Sequence, residues 1–260
     1  MRLSVLINIC NERHLLLDCI QSVKPIASDV VVTDMQSSDG GGDLARSLGC
    51  TVLPVPWAAA VEPTARLVGI DKCAGDWILV MDPDMRLPEQ TRNRITKIIE
   101  LDEADAVDFY CENHYFGQKV KHGHGSQGVF RKLFKKRVFH PSFRSMHTFF
   151  RDSTLHCRIL RLPRTYPITH LGYQSVGELT LALIRYAEQE ARDDISMGVE
   201  FSTRRALVVP LKRFVGNYFL RLGLLDGWIG LIVCSLIAWY AFQKECYLWE
   251  LSRDRDLHSN

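Results

Sequence analysis

The stretch Gly75-Asp-Trp-Ile-Leu-Val-Met-Asp82-Pro-Asp84 decides the fold of this 260-residue chain. Its five consecutive apolar residues, 77–81, predict a strand. Two carboxylates, Asp82 and Asp84, follow the strand directly and are separated by one residue, so both can reach the same hard cation. In open α/β sheets, ligands bind outside the carboxyl ends of the strands. The stretch therefore predicts an α/β fold with a cation site after this strand.

The first third of the chain alternates short apolar runs with helical patterns. This alternation is typical of βα units on a mostly parallel sheet. The predicted strands are 3–9, 29–33, 51–55, 77–81 and 106–111, and the predicted helices are 13–23, 44–48, 63–74 and 89–101. Beyond residue 113 the pattern loosens, and it predicts a hairpin turn at 115–118, a strand at 129–134 and an amphipathic helix at 178–195.

The composition is that of a globular protein, with 47% hydrophobic and 24% charged residues and a net charge of +2. These values argue against a disordered, collagen-like or polytopic membrane chain. The eight cysteines include no CxxC pair and no close Cys/His cluster, which favours reduced thiols over a disulfide scaffold or a structural zinc site. The apolar N-terminal stretch is too short for a secretory signal, so we expect a cytosolic protein.

The small net charge conceals a strong asymmetry along the chain. Residues 1–112 carry 10 Lys/Arg and 18 Asp/Glu, whereas residues 113–151 carry 9 Lys/Arg and no acidic residue. We call the second segment the basic arm. The asymmetry predicts that the first part holds cations and the basic arm holds an anion, with a solvated basic face as the alternative. A nucleic-acid partner is not expected, because the basic arm has no RNA-binding signature and follows an acidic half.

The C-terminal part is basic and then apolar. Residues 201–225 contain five Lys/Arg and no acid, and residues 227–242 form an uncharged run of 16. A spanning helix needs about 20 apolar residues, so this run is marginal for crossing a bilayer. We predict a tail that lies in the membrane interface, with Trp228, Trp239 and Tyr240 at headgroup depth and the cations facing anionic lipid. A buried core helix or a dimer helix is the alternative.

Polar residues also follow the first two predicted strands. Asn11 and Glu12 come after the first strand, and Asp34 follows the second. Side chains at two neighbouring strand ends could hydrogen-bond a nucleotide base and ribose hydroxyls. Helix capping or a solvated turn is the alternative for these residues.

Together, the segments 4–12, 30–40 and 75–84 resemble family-2 glycosyltransferases of the GT-A fold. More narrowly, the chain looks like the WaaE-like lipopolysaccharide-core glucosyltransferase group. That group continues with a lysine–histidine–glycine turn, an Arg-Leu-Phe-Arg-like segment and two histidine-containing elements, and it ends in a Leu-Gly-Phe-Leu-Asp-Gly segment. The matching positions here are 121–123, 131–136, 145–148, 169–173 and 222–227.

The resemblance implies a GT-A (Rossmann-like) α/β fold with a mostly parallel central sheet and a C-terminal helical, membrane-associated tail. It divides the chain into a glycosyltransferase domain, 1–200, with a nucleotide-sugar half, 1–112, and an acceptor half, 113–200, followed by a helical membrane-interfacial segment, 201–260. It implies transfer of a sugar, with inversion, from a nucleotide-diphosphate sugar such as UDP-glucose to a phosphorylated glycolipid or lipopolysaccharide-core acceptor. The enzyme would sit in the cytoplasm, peripheral on the inner face of the bacterial inner membrane, and its oligomeric state is left open.

The resemblance also suggests roles for individual residues. Mg²⁺ or Mn²⁺ would be held by Asp82, Asp84 and His170, with a structural role for His170 as the alternative. Within the basic arm, Lys132, Lys135, Lys136 and Arg144 would face the acceptor. The residues assigned to donor binding are Asn11, Glu12, Asp34, Arg66, Asp82 and Lys132.

One departure concerns the catalytic base. Thr148 stands where the group has a glutamate, and a threonine cannot act as a base near neutral pH. We therefore predict that His147 is the base, with Asp152 as the second candidate. The missing glutamate keeps a noncatalytic, membrane-attached sugar-nucleotide-binding protein open as an alternative. A polyprenyl-phosphate glycosyltransferase is the alternative within the same fold.

Overall fold

The computed structural model describes residues 1–56, 62–126, 128–142 and 149–258. Within these ranges the chain forms two units, each made of two separate segments. The first unit comprises Met1–Cys111 and Gly128–His170, and the second comprises Glu112–Gln127 and Leu171–Asn260. These units do not coincide with the predicted domains 1–200 and 201–260, which remain a prediction about function.

The central sheet belongs to the first unit. Four parallel strands lie in the order β3-β2-β1-β4, and they are β1 (Leu3–Ile9), β2 (Asp29–Asp34), β3 (Thr51–Pro54) and β4 (Trp77–Met81). Beyond β4 the sheet continues antiparallel with β8 (Val129–Lys135) and β6 (Ala106–Tyr115). The short strands are β5 (Met85–Arg86), β9 (Ile159–Arg161) and β10 (Ile168–His170). The predicted α/β fold with a mostly parallel sheet is confirmed.

Helices cover both faces of this sheet. They are α1 (Arg13–Val23), α2 (Gly41–Ser47), α3 (Glu62–Lys72), α4 (Glu89–Glu100) and the four-residue α5 (Phe149–Asp152). On one face, Ile7 and Met81 pack in a cluster with Leu16 of α1 and Ile95 of α4. On the other face, Leu6, Val31, Ile78 and Val80 pack with Ile70 of α3 and with Phe149 and Phe150. Because both faces are buried, the strands read as continuous apolar runs rather than as alternating patterns.

The second unit contains a hairpin and three long helices. At the end of β6, Tyr115 pairs with Gln118 of β7 (Gln118–Lys119) across the two-residue turn Phe116-Gly117. Both turn residues have positive φ angles, 53° and 73°, as a type I′ turn requires. This hairpin confirms the predicted turn at 115–118. The helices are α6 (Val176–Ser196), α7 (Thr203–Val215) and α8 (Gly227–His258).

The apolar run 227–242 lies in α8, and much of it packs against α6. Val233, Ile237 and Tyr240 form a buried cluster with Leu179 and Leu183 of α6. The prediction that Tyr240 lies at headgroup depth is therefore wrong, since this side chain belongs to the core of the second unit. Among the described residues, one helical stretch, Gly223–Arg253, is long and apolar enough to cross a membrane, judged by length and composition alone.

Two of the motifs that carried the resemblance meet inside the second unit. The Asp226 carboxylate accepts hydrogen bonds from the backbone N–H groups of Lys121 (3.1 Å) and His122 (2.8 Å), and it lies 3.1 Å from Nδ1 of His122. Gly123 follows with a φ of +62°, and a Cβ at this position would lie 3.2 Å from both Cys234 Sγ and a backbone Cα. Glycine is therefore required here by both backbone conformation and space. These motifs hold residues 121–123 to the turn before α8.

Candidate active site

The Asp-Pro-Asp turn, 82–84, connects β4 to β5 at the carboxyl edge of the parallel strands. The Met85 N–H donates to the Asp82 carbonyl at 2.9 Å and closes the turn. The Arg86 guanidinium donates to the Pro83 carbonyl at 2.7 Å and to the Leu15 carbonyl of α1 at 3.0 Å. Arg86 therefore fixes the turn against α1, a role that the sequence did not suggest. In the sequence, the only hint of this role is that Arg86 lies two residues after Asp84.

Asp82 lies among positive charges. Its Oδ2 accepts from Lys132 Nζ at 2.6 Å, and its Oδ1 lies 3.6 Å from Arg66 Nη2. Burial disfavours the charged carboxylate, but Lys132 and Arg66 outweigh this effect and lower the pKa of Asp82 to about 2. The Arg66 guanidinium also lies over the ring of Phe150, 5.1 Å from its centroid. Asp82 is therefore ionised at neutral pH and already neutralised by protein cations.

Asp84 is next to His170. The antiparallel pairing of β10 with β5 places His170 opposite Met85 and brings His170 Nε2 to 2.9 Å from Asp84 Oδ2. Burial opposes the imidazolium, but the hydrogen bond and the negative charge of Asp84 outweigh it and raise the pKa of His170. The second carboxylate oxygen, Asp84 Oδ1, is buried and makes no hydrogen bond within the described part of the chain.

Asp84 offers carboxylate oxygens to a divalent cation, and His170 offers a ring nitrogen once its imidazole is neutral. An unpartnered buried carboxylate oxygen is a costly feature that a bound cation would relieve. Mg²⁺ usually keeps several waters and binds through one or two carboxylates and the phosphates of a substrate. No group of three or more His, Cys, Asp or Glu side chains that could hold a metal ion occurs among the described residues. A cation on these two residues would therefore need water or phosphate oxygens to complete its shell.

The predicted base- and ribose-binding residues organise the loops after β1 and β2, where Ile9 pairs with Asp34. Asn11 Oδ1 accepts from the Ser38 N–H at 2.8 Å, and Asp34 Oδ1 accepts from the Ser37 N–H at 2.9 Å. Asn11 itself has a positive φ of 57°, in the left-handed region that asparagine tolerates better than most residues.

The third of these residues, Glu12, bonds within its own turn. Its Oε2 accepts from the Cys10 N–H at 3.2 Å. Beside the same loops is an open cleft of about 700 Å³, lined by Asn11, Arg13, His14, Leu17, Asp39 and Leu44. Arg13 and His14 are thus further candidates for a ligand at this edge of the sheet, and sequence reasoning missed both.

Asn8 is another residue that sequence reasoning missed. It lies on β1 one position beyond Ile7, which pairs with Met81, so it is level with the start of the Asp-Pro-Asp turn. Its side chain is buried and accepts a short hydrogen bond from the Thr33 hydroxyl, while Nδ2 has no partner in the described part of the chain. The available signal was an asparagine among the large apolar residues of 5–9.

Much of the basic arm is used inside the first unit. Lys135 is buried, forms ion pairs with Asp102 and Asp105, and lies over the Trp77 ring. Lys136 Nζ donates to two backbone carbonyls at 2.8 Å, those of residues 71 and 73. The prediction that Lys135 and Lys136 face an acceptor is therefore wrong, because their charges serve the fold. Arg144, given the same role, lies outside the described residues.

The two candidates for the catalytic base differ in what can be said of them. His147, together with Thr148, lies outside the described residues. Asp152 is the last residue of α5, whose Phe150 ring is the one beneath Arg66. The segment after α5 is anchored by the buried Arg131, whose Nη1 donates to both the carbonyl and the hydroxyl of Thr154 at 3.0 Å.

Comparison with known proteins identifies the family. Residues 4–160 match the sequence profile of Glycosyl transferase family 2. The chain belongs to this family. Similar proteins include an uncharacterized glycosyltransferase of Rickettsia typhi, 24% identical across 96% of this chain and 88% of the relative, and one of Rickettsia bellii, 25% identical across 96% and 87%.

Solved structures of other glycosyltransferases share the fold. TarS of S. aureus (residues 1–349) in complex with UDP has a TM-score of 0.55 at 14% identity, covering 95% of this chain and 91% of TarS. Glucosyl-3-phosphoglycerate synthase of Mycobacterium tuberculosis in complex with Mn²⁺, UDP and glucosyl-3-phosphoglycerate has a TM-score of 0.50 at 14% identity, covering 77% and 81%. The predicted GT-A fold and the predicted family are confirmed.

It follows that the family 2 chain is a glycosyltransferase. The alternative of a noncatalytic sugar-nucleotide-binding protein is set aside. The residues that the fold brings together in the first unit are Asp82, Asp84, His170, Lys132 and Arg66, at one edge of the sheet.

Proposed function

We propose that the protein is a metal-dependent, inverting glycosyltransferase that uses a nucleotide-diphosphate sugar, UDP-glucose or a similar UDP-sugar. The observation that carries the proposal is the Asp84–His170 pair with its unpartnered buried oxygen, Asp84 Oδ1. A UDP donor is supported by the complexes of TarS with UDP and with UDP-GlcNAc, at TM-scores of 0.55. The M. tuberculosis synthase supports a divalent cation, since it was solved with Mn²⁺ and UDP.

In this proposal the two aspartates have different tasks. Asp84 and His170 hold Mg²⁺ or Mn²⁺, which when bound supplies positive charge to the leaving nucleotide diphosphate. Asp82 orients Lys132 and Arg66, and these two cations bind the anionic diphosphate directly. Asn11, Glu12 and Asp34 bind the base and ribose at the neighbouring strand ends, which the cleft beside Asn11 makes accessible. The donor is thereby held across the carboxyl ends of β1, β2 and β4.

The chemical step needs a base for the acceptor. As the acceptor oxygen forms its bond to C1 of the sugar, the bond from C1 to the diphosphate oxygen breaks, and the diphosphate takes the electron pair. The acceptor hydroxyl proton passes to the base, which we propose is His147, with Asp152 as the second candidate. Attack from the face opposite the diphosphate inverts the configuration at C1.

The acceptor that we propose is a phosphorylated glycolipid of the lipopolysaccharide-core type, at the cytoplasmic face of the bacterial inner membrane. This finer assignment rests on the resemblance at 121–123 and 222–227, which the fold joins within the second unit. A screen of acceptors tests it directly. Transfer to a polyprenyl phosphate and not to a lipopolysaccharide-core glycolipid would refute the acceptor while leaving the donor chemistry intact.

The metal role is tested with Asp84→Asn and a matched control. The control is Asp43→Asn, which changes an exposed aspartate of the same unit. We expect wild type and the control to bind UDP more tightly with Mn²⁺ than with chelator in calorimetric titrations. Asp84→Asn should lose this difference and lower turnover by about 10²-fold or more, because a charged metal ligand contributes several kcal/mol. Full activity of Asp84→Asn in chelator would refute the metal role.

The base is tested separately by kinetics. We expect His147→Ala to lower kcat by about 10²–10⁴-fold with nearly unchanged affinity for UDP, because a positioned base acts only on the chemical step. Thr148→Glu should keep or raise activity, since it restores the carboxylate of the resembling group. Normal turnover of folded His147→Ala would transfer the role to Asp152.

A further inference from the structure

The outer side of α7, the turn that follows it and the first turn of α8 carry exposed apolar residues. They are Leu207, Leu211, Val215, Phe219, Leu220 and Trp228, whose exposed fractions range from 39% to 80%. We call this surface the α7 face. Exposed apolar residues scattered singly are ordinary, but six within 22 positions of one segment form a patch of the kind that marks a binding surface.

The pattern within α7 explains why this side is uncovered. Leu207, Leu211 and Val215 recur every four residues and therefore lie on one stripe of the helix. The opposite side of α7 carries Ala206, which is buried, and Arg205, whose guanidinium pairs with Glu245 of α8. α7 is thus attached to α8 through one side and presents leucine and valine on the other.

The surroundings of the α7 face are positively charged. Arg204, Lys212 and Arg221 are exposed within or beside it, and residues 201–225 contain no aspartate or glutamate. A helix that combines apolar side chains with cations and lacks acids has the composition of a segment that lies on anionic lipid.

A second copy of the chain is a poorer occupant of this surface. A two-fold dimer places the same patch of both subunits against each other, so the cations Arg204, Lys212 and Arg221 of both copies would share one interface that holds no acidic residue from 201–225. Like charges buried at an interface oppose association. An anionic bilayer, in contrast, complements both the cations and the apolar side chains.

We infer that the α7 face docks the protein on a membrane surface that contains anionic lipids. Leu207, Leu211 and Trp228 enter the boundary between headgroups and acyl chains, and Arg204 and Lys212 face lipid phosphates. Of α8, only Trp228 in its first turn belongs to the docking surface, because Val233 and Ile237 farther along the helix pack in the cluster with α6. The inference extends the proposed glycolipid acceptor, but lipid binding is measured without donor or acceptor and stands or falls separately.

The test is co-sedimentation of the full-length protein with vesicles of phosphatidylcholine alone or in an equimolar mixture with phosphatidylglycerol. We expect binding to the anionic vesicles in about 0.1 M salt and release in about 1 M salt, because the Debye length falls from about 10 Å to about 3 Å. Leu207→Glu/Leu211→Glu should weaken binding by at least about ten-fold. The matched control, Leu101→Glu/Leu155→Glu, changes exposed leucines of the first unit and should bind like wild type.

The cations are tested in the same way. Arg204→Gln/Lys212→Gln should weaken binding to anionic vesicles by about ten-fold or more in low salt and remove most of its salt dependence. The control, Lys72→Gln/Lys97→Gln, removes two exposed cations of the first unit and should leave binding unchanged. Far-UV circular dichroism, measured on every variant, verifies that each one is folded. Absence of UDP-sugar hydrolysis in the folded wild type would count against the proposed function and leave the lipid-binding result unaffected.

Three results would overturn the inference. Equal binding to neutral and anionic vesicles that resists high salt would indicate insertion of α8. A soluble dimer that ignores vesicles and dissociates in Leu207→Glu/Leu211→Glu would make the face an interface between copies. If Leu207→Glu/Leu211→Glu bound anionic vesicles as tightly as the control variant and the wild type, the docking surface would lie elsewhere on the protein.

Discussion

Replacing Lys132 with methionine removes the positive charge that lies 2.6 Å from Asp82 and keeps most of the side-chain volume. The Lys132 side chain is 6% exposed and that of Asp82 is 30% exposed, so solvent screens the pair only in part. Lys132 and Arg66 together lower the pKa of Asp82 from 3.8 to about 2, against the opposing effect of burial. This difference corresponds to about 2 kcal/mol of unfolding free energy at neutral pH. We expect Lys132→Met to lose most of it.

The loss should depend on pH in a defined direction. The pKa of Asp82 in the folded state lies below its ordinary value, so the stabilisation is present above that ordinary value and disappears as the pH falls through about 2. The difference in unfolding free energy between wild type and Lys132→Met should therefore be constant from about pH 7 to about pH 5 and should shrink below about pH 4.

Urea denaturation followed by circular dichroism measures this difference at each pH. The control is Lys119→Met in the second unit, where the Lys119 side chain is 45% exposed and pairs with Glu112 on the surface. An exposed pair of this kind contributes below about 1 kcal/mol. The reasoning would be refuted if Lys132→Met matched the control at neutral pH, or if its deficit were the same at every pH. Calorimetry on the same variant should show weaker binding of UDP, because Lys132 is proposed to bind the diphosphate.

Two further predictions concern buried polar groups. Arg131→Met should cost about 3 kcal/mol in urea denaturation, because it leaves the buried Asp108 carboxylate with only the more distant, exposed guanidinium of Arg161, and Arg131→Met/Asp108→Leu should recover most of the loss; a double variant as unstable as the single one would contradict this. Asn8→Leu/Thr33→Val should stay within about 1 kcal/mol of wild type, because both hydrogen-bonding partners are replaced together. The same variant should bind UDP more weakly in calorimetry, and unchanged affinity would mean that the Asn8 amide only fills the core.

The strands and helices of the first unit could be predicted because their signals are local. Leu3–Ile9, Arg13–Val23 and Trp77–Met81 have the bounds that the sequence predicts, since each is an apolar run or a helical pattern ended by polar or turn-forming residues. The antiparallel insertion of β8 between β4 and β6 could not be predicted, because strand pairing across tens of residues leaves no local pattern.

This insertion also accounts for part of the charge asymmetry along the chain. β8 carries Arg131, Lys132 and Lys135 of the basic arm between two strands whose ends are acidic. Arg131 meets Asp108, and Lys132 meets Asp82. Part of the segregation of charge along the sequence therefore reflects ion pairs formed within the sheet, those of Arg131, Lys132 and Lys135.

The prediction for Tyr240 was wrong for a different physical reason. An uncharged run of 16 residues has the same composition whether lipid or protein covers it. In the structure α6 supplies Leu179 and Leu183 to cover Ile237 and Tyr240. Many of the exposed apolar residues lie instead in α7 and the turn after it, where cations interrupt the pattern. Whether α8 is buried depends on which helix packs against it, and the periodicity of a single sequence does not reveal which helices pack together.

The candidate site was predicted in part. The carboxylates at the strand end follow from local pattern, but His170 was assigned only through the resemblance, since 85 residues separate it from the nearer carboxylate in sequence. The β10–β5 ladder brings the two together. Arg86 and Asn8 could not be identified from the sequence. Arg86 acts through hydrogen bonds to the backbone carbonyls of Pro83 and Leu15, and Asn8 is distinguished by an amide without a partner among the described residues, and neither feature leaves a sequence pattern.

The interleaving of the two units has a consequence for how the chain is made. The segment Glu112–Gln127 leaves the ribosome well before Asp226, the residue that accepts hydrogen bonds from Lys121 and His122. During synthesis this segment therefore lacks its hydrogen-bonding partner until Asp226 has been translated. For the same reason a truncation at residue 200 would remove Asp226 and leave the segment 112–127 without its hydrogen-bonding partner. Loss of activity in such a fragment would therefore indicate misfolding of this segment and not the loss of a membrane anchor.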